Sequence, residues 1–130
     1  WQGVLVSTLK QCGRCHLPEL RAVADPARVL AEAAGPAHFG AASGDLVGET
    51  PLGPTQLAAQ AARRRQAGEA PPSELLVFIG PEGGWSPAEL QLMSVQGVVP
   101  LTLGPHVLRT ETAAMAGLVA LQQVRRAWLA

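Results

Sequence analysis

Net charge is the first thing missing from this chain of 130 residues, in which ten Lys plus Arg balance ten Asp plus Glu. That balance excludes a polybasic nucleic-acid arm and an acidic disordered tail. Long hydrophobic runs are missing too. No stretch nears the roughly 18 apolar residues that a bilayer-spanning helix needs. Aromatics make up only 4%, so a flat cofactor would find few ring walls. Cysteine stops at two, and a zinc site built on them needs two further ligands; His38 and His106 show no metal spacing. There is also no initiator Met, basic n-region or cleavage pattern ahead of Trp1-Gln2-Gly3, which predicts the later part of a longer chain. What is present is apolar: 48% against 15% charged, in 13.5 kDa. Such a chain folds, as one domain with a core.

The first twelve residues read as a helix, with Trp1, Val4, Leu5, Thr8, Leu9 and Cys12 on one face and Gly13 after its end. Asp25 and Pro26 open a second helix as cap and first-turn proline, with Val29, Leu30 and Ala33 as its stripe and Gly35-Pro36 as its stop. A short strand near His38-Phe39 precedes a Gly- and Pro-rich loop, and Gln56 to Gln66 reads as a third helix. Leu75 to Ile79 is an unbroken apolar run ended by Gly80, as expected of a strand buried on both faces. The next helix start is well marked. Ser86 and Glu89 form a capping box, Pro87 takes the first position, and Trp85 and Leu90 are spaced for a hydrophobic staple. Val98 to Leu103 is a further apolar strand, ended by Gly104-Pro105. A last helix runs from about Glu111 to Trp128, with Thr110 placed to cap it. Its Ala113 to Leu121 portion is apolar all round, so its own domain or a partner copy covers most of it, and a homodimer is expected. Strand, glycine loop and helix, given twice, predict an α/β domain with a mostly parallel sheet flanked by helices.

Three constellations could carry chemistry. Cys12-Gly13-Arg14-Cys15-His16 matches C-x-x-C-H, the attachment signature of c-type haem. Haem attachment requires an exported setting, and no export segment is visible. Met93 and Met115, the available axial ligands, sit in helices with structural uses of their own. The match is read as a helix end carrying two thiols, with a haem protein as the minor alternative. The second constellation is Gly80-Pro81-Glu82-Gly83-Gly84, where glycines let backbone turn and approach a ligand closely. The third, Leu103 to Ala113, also leaves a strand and enters a helix. In open parallel sheets ligands bind beyond the carboxyl ends of strands, so the two loops predict one crevice.

Gly80-Pro81-Glu82-Gly83-Gly84-Trp85-Ser86, followed by Leu103-Gly104-Pro105-His106-Val107-Leu108-Arg109-Thr110-Glu111-Thr112-Ala113-Ala114, resembles the RsmE family of ribosomal RNA uracil-N3 methyltransferases. Upstream, Lys10-Gln11-Cys12-Gly13-Arg14 with Leu17-Pro18-Glu19-Leu20 is similar to the family's E-Q-[SC]-G-R and [VL]-P-E-[IL] segments, with Lys10 reversing the charge of a common Glu. Three motifs in order span nearly the whole chain. The resemblance implies a SPOUT-type domain over residues 1–130 with a C-terminal trefoil knot. It also implies that the domain's first strand and helix, and an N-terminal RNA-binding barrel, lie outside this chain. Implied with it are S-adenosylmethionine (SAM) as cofactor, small-subunit ribosomal RNA as substrate, a homodimer and a cytoplasmic setting without a membrane.

The cofactor-binding residues that the resemblance implies are Ile79, Gly80, Glu82, Gly83, Gly84, Leu103, Gly104, Val107, Leu108, Arg109 and Ala113, with a further contact near His38-Phe39-Gly40. Uracil N3 is a poor nucleophile until its proton leaves, and the charge then rests on the imide oxygens. Arg109 is expected to stabilise that charge and Glu111 to take the proton, with Glu82 second in line for the latter. Arg14 is expected on RNA phosphate, joined by the Arg63 to Arg65 run. No metal is expected. The alternative from another class is a catalytically silent domain of the same fold that binds RNA or a partner.

Overall fold

Among the described residues three short strands lie side by side and all run parallel: β1 (Ala37–Gly40), β2 (Leu76–Phe78) and β3 (Val99–Leu101). The computed structural model describes residues 2–12, 15–41 and 50–130. The strand order is β2-β1-β3, with His38 level with Val77 and Val99, and Phe39 level with Phe78 and Pro100. Leu52 extends the β3 edge, donating to the Pro100 carbonyl at 2.9 Å and accepting from Thr102 at 3.0 Å. Both apolar runs become strands, shorter than the runs themselves. β1 has only four residues, and ladder pairing ends with it; Ile79 and Leu103 then serve as walls of the space beyond.

Alternation along the strands divides the core into two. On one face α3 (Pro54–Gln66) and α5 (Thr110–Leu129) bury Leu57, Ala61, Ala120, Val124 and Trp128 together with Leu101 and the half-buried Val77. Gly117 brings α5 close to β2, since a Cβ there would touch Val77 and Ile79 at 3.4 Å. On the other face α2 (Pro26–Glu32) and α4 (Pro87–Val95) enclose Phe39, Met93 and Val98, with Leu30, Trp85 and Leu90 against them. The two faces follow from chain direction. The β1-α3-β2 crossover moves one way across the sheet and β2-α4-β3 moves back past β1, so crossovers of one hand place their helices on opposite sides.

Local signals explain the helix starts. Asp25 Oδ1 accepts from the Ala27 amide at 2.8 Å. Ser86 and Glu89 form the expected reciprocal cap, with Ser86 N donating to Glu89 Oε2 at 2.8 Å and Glu89 N to Ser86 Oγ at 3.3 Å. The Ser86 hydroxyl, donating to Glu89 Oε2 at 2.7 Å, and then the Ser86 amide hold the Glu89 carboxyl below its usual pKa. α3 starts at Pro54, two residues before the expected Gln56, because the Gln56 side chain reaches back to accept from the Gly53 amide at 2.6 Å. Thr110 is not a cap. Arg109 occupies that position without a side-chain bond, and Thr110 is the first residue of α5.

α1 (Gln2–Cys12) forms as expected but buries none of its residues. α5 is covered on one side only: Gly117, Ala120, Leu121, Val124 and Trp128 face inward, while Met115, Leu118 and Val119 are 62%, 59% and 55% exposed. No helix among the described residues is long and apolar enough to cross a membrane.

Candidate functional site

A cleft of about 480 Å³ opens over the carboxyl ends of all three strands, within the size range of small-molecule sites. β1 contributes Gly40 and Ala41 at its exit, β2 contributes Ile79 to Glu82 with Gly84 and Trp85, and β3 contributes Leu101 through Thr110 and then Ala113. The winding direction reverses at β1, and a crevice forms where neighbouring loops depart to opposite faces.

Two hydrogen bonds fix the rim. Trp85 Nε1–H donates to the Gly40 carbonyl at 2.9 Å, tying the β2 loop to the end of β1. The Trp85 ring stands edge-to-face on Phe39, with centroids 6.1 Å apart at 87°. It also lies under Gly80, where a Cβ would come within 3.0 Å of the indole. A side chain at position 80 would therefore require the indole to give by a few tenths of an ångström. Thr110 Oγ1 donates to the Gly80 carbonyl at 3.3 Å, joining the start of α5 to the β2 loop. In the β3 loop the Thr102 hydroxyl donates to the Gly104 carbonyl at 3.2 Å, and Gly104 has φ of +144°, which side-chain-bearing residues rarely adopt.

The walls are mostly aliphatic side chains and backbone, with Glu82, His106 and Arg109 as the ionisable groups among them. Of the expected residues, Ile79, Gly80, Glu82, Gly84, Leu103, Gly104, Val107, Leu108, Arg109 and Ala113 line the cleft. Gly83 and Glu111 are exposed beside it and do not line it. Arg14 lies outside the described residues, as do Trp1 and Gly13. Trp85 and Thr110 are the residues whose part in the site local sequence reading assigned elsewhere, to a staple and a cap. Their partners are 45 and 30 residues away, and no local pattern marks such pairs.

Below the cleft, His38 on β1 is buried, and its Nδ1 has no hydrogen-bond partner among the described residues. Burial depresses its pKa below 6.5 by disfavouring the charged imidazolium. Cys12 and Cys15 are exposed free thiols away from the cleft wall. Among the described residues no three His, Cys, Asp or Glu side chains gather to hold a metal ion.

A cleft walled by aliphatic side chains and glycine-rich main chain, with few charges, suits a bulky organic cofactor better than a polar metabolite. The cleft is open at its Gly104 edge, where a Cβ would meet nothing within 4 Å.

Residues 1–122 match a family model described as an RNA methyltransferase domain. Ribosomal RNA small subunit methyltransferase E of Mycobacterium bovis is 32% identical over 128 residues, which is 98% of this chain and 45% of the relative. The crystal structure of the enzyme of that name from Neisseria gonorrhoeae, bound to S-adenosyl methionine, superposes with a TM-score of 0.67 at 27% identity, over 95% of this chain and 46% of that one. A Legionella pneumophila chain held to be a methyltransferase, solved with its cofactor SAM, gives a TM-score of 0.66 at 31% identity, over 94% and 44%. The chain thus spans less than half the length of these relatives.

Proposed function

Because the chain belongs to the RNA methyltransferase domain family, in its small-subunit methyltransferase E group, we propose that it is the catalytic portion of a SAM-dependent enzyme that methylates N3 of a uridine in small-subunit ribosomal RNA. The observation that carries this reading is the junction of the 80–84 and 103–109 loops around one cleft, pinned by the Thr110 hydroxyl on the Gly80 carbonyl. When bound, the cofactor supplies an electrophilic methyl group on a sulfonium. In this reading the backbone of Leu103, Val107 and Leu108 holds the adenine, and Ile79 and Ala113 close the apolar wall. Gly80 and Gly84 bring main chain against the remainder, with Glu82 offering a carboxylate to its positive groups and Gly83 keeping the loop thin.

The chain's own residues then act on the substrate. Uracil N3 must lose its proton before it can accept a methyl group, and the negative charge spreads over the two imide oxygens. Arg109, at the entrance to α5 and on the cleft wall, offsets that charge where it develops. Glu111, in the first turn of the helix and outside the wall, takes the proton from a base that reaches in over Arg109.

The reading includes a C-terminal trefoil knot formed as the chain passes from β3 to α5, and a homodimer through the exposed stripe of α5. It also includes completion of the domain by a preceding strand, helix and RNA-binding barrel, and a cytoplasmic setting. Calorimetric titration of SAM into the full-length protein tests it, with saturable binding expected at one site per chain. No binding would leave only a silent domain of the same fold. Glu111→Gln is expected to lower methylation about 100-fold or more with SAM affinity unchanged. Methylation near the wild-type rate would remove Glu111 as the base.

A further inference from the structure

Five of the chain's ten basic residues gather at one end of the molecule: Arg63, Arg64 and Arg65 in the last turn of α3, and Arg125 and Arg126 near the end of α5. The two helices finish together. The Arg64 guanidinium lies 5.4 Å from the centre of the Trp128 ring, and it pairs with Glu69 at 2.7 Å. Arg64 is thereby committed to structure. Arg63, Arg65, Arg125 and Arg126 are exposed and have no carboxylate partner among the described residues. Glu74, which shares a groove with Arg125, has its carboxylate on the Ala34 amide. Cations in last turns complement helix dipoles, but one or two would suffice, and here a chain of zero net charge places half of its cations together.

From Thr110 on the cleft to Arg125 is fifteen residues of α5, about 22 Å at about 1.5 Å per residue. The cluster is thus remote from the cleft, and every cation in it is an arginine, whose planar fork matches phosphate oxygens in pairs. We infer that this arginine end is a second contact surface, one that grips the phosphate backbone of structured RNA flanking the modified nucleotide. The inference rests on the reading of the substrate as ribosomal RNA. Phosphate contacts of this kind set register and orientation without reading sequence.

The test compares the full-length protein with its Arg63→Gln/Arg65→Gln/Arg125→Gln/Arg126→Gln variant in filter binding to transcribed small-subunit ribosomal RNA over a salt series. SAM calorimetry and thermal melting are run on both. The variant is expected to lose about tenfold or more in RNA affinity at low salt, and its log-log salt slope should be shallower by about 2 to 4. Its SAM affinity and melting midpoint should be unchanged. If the quadruple variant melts early, Arg63→Gln/Arg65→Gln alone should give about half the change in slope. Unchanged RNA affinity and slope overturn the inference. So does a loss confined to a polyglutamate probe, which would identify an acidic protein as the partner. Arginine-dependent RNA binding by a protein that takes no SAM would sink the reading of the cleft and leave this surface standing. SAM binding with RNA affinity indifferent to the arginines would sink this surface alone.

Discussion

Two hydrogen bonds, from the Trp85 indole to the Gly40 carbonyl and from the Thr110 hydroxyl to the Gly80 carbonyl, join three strand ends into one rim. Thr110→Val keeps the shape of the side chain and removes the second bond. A neutral intramolecular hydrogen bond of this kind contributes about 0.5 to 1.5 kcal/mol to folding, so the melting temperature should fall by a few degrees and SAM affinity by calorimetry should fall with it as the rim loosens. An unchanged affinity would show that the Gly80 carbonyl needs no tether. His38 makes a different kind of prediction. Burial holds its folded-state pKa below 6.5, whereas the unfolded chain returns to about that value. Below pH 6.5 the unfolded state therefore binds more protons, and stability that is present above that pH is lost as pH falls toward the folded pKa. His38→Leu should make the drop in melting temperature between about pH 7 and pH 5 smaller than in the wild type; an equal drop would mean that other groups dominate. The Ser86-Glu89 cap was legible because both partners lie within one helical turn. The Thr110 bond was not, since a threonine before a helix looks like a cap until the sheet brings Gly80 beside it.

At the scale of elements, α5 carries two faces with separate duties. Its inward face of Gly117, Ala120, Leu121, Val124 and Trp128 fastens α3 and β2, and its outward stripe of Met115, Leu118 and Val119 is exposed among the described residues. The sequence makes both faces apolar, so it announces that something covers the helix without saying which side belongs to its own domain. Leu118→Glu places a charge in the middle of the outward stripe. Sedimentation of the full-length protein should show a dimer that this variant turns into a monomer, with the melting of each chain little affected because Leu118 is already exposed. A dimer that survives the charge would place the partner contact elsewhere. The strands show the converse limit. The apolar runs at 75–79 and 98–103 mark where strands lie but overstate their length, because hydrophobicity serves equally to pack a sheet and to wall the cleft beyond it. Ile79 and Leu103 do the second.

For the whole molecule, the parallel order β2-β1-β3 with helices on both faces brings the loops that leave Gly40, Phe78 and Leu101 to one end of the sheet. The glycine loops of 80–84 and 103–109 were each legible as sites of close backbone approach. That they share a cleft follows from two parallel crossovers, and that Gly40 and Ala41 form part of its floor follows from β1 lying between them. Charge distribution was the least legible feature at this scale. A net charge of zero conceals an end dominated by arginine, because α3 and α5 finish together only once folded. Whether the two loops hold the methyl donor is read by hydrogen–deuterium exchange of the full-length protein with and without SAM. Slowed exchange is expected at residues 79–85 and 103–110, with α3 unchanged. Slowing confined to other segments, or none at saturating SAM, would contradict that placement.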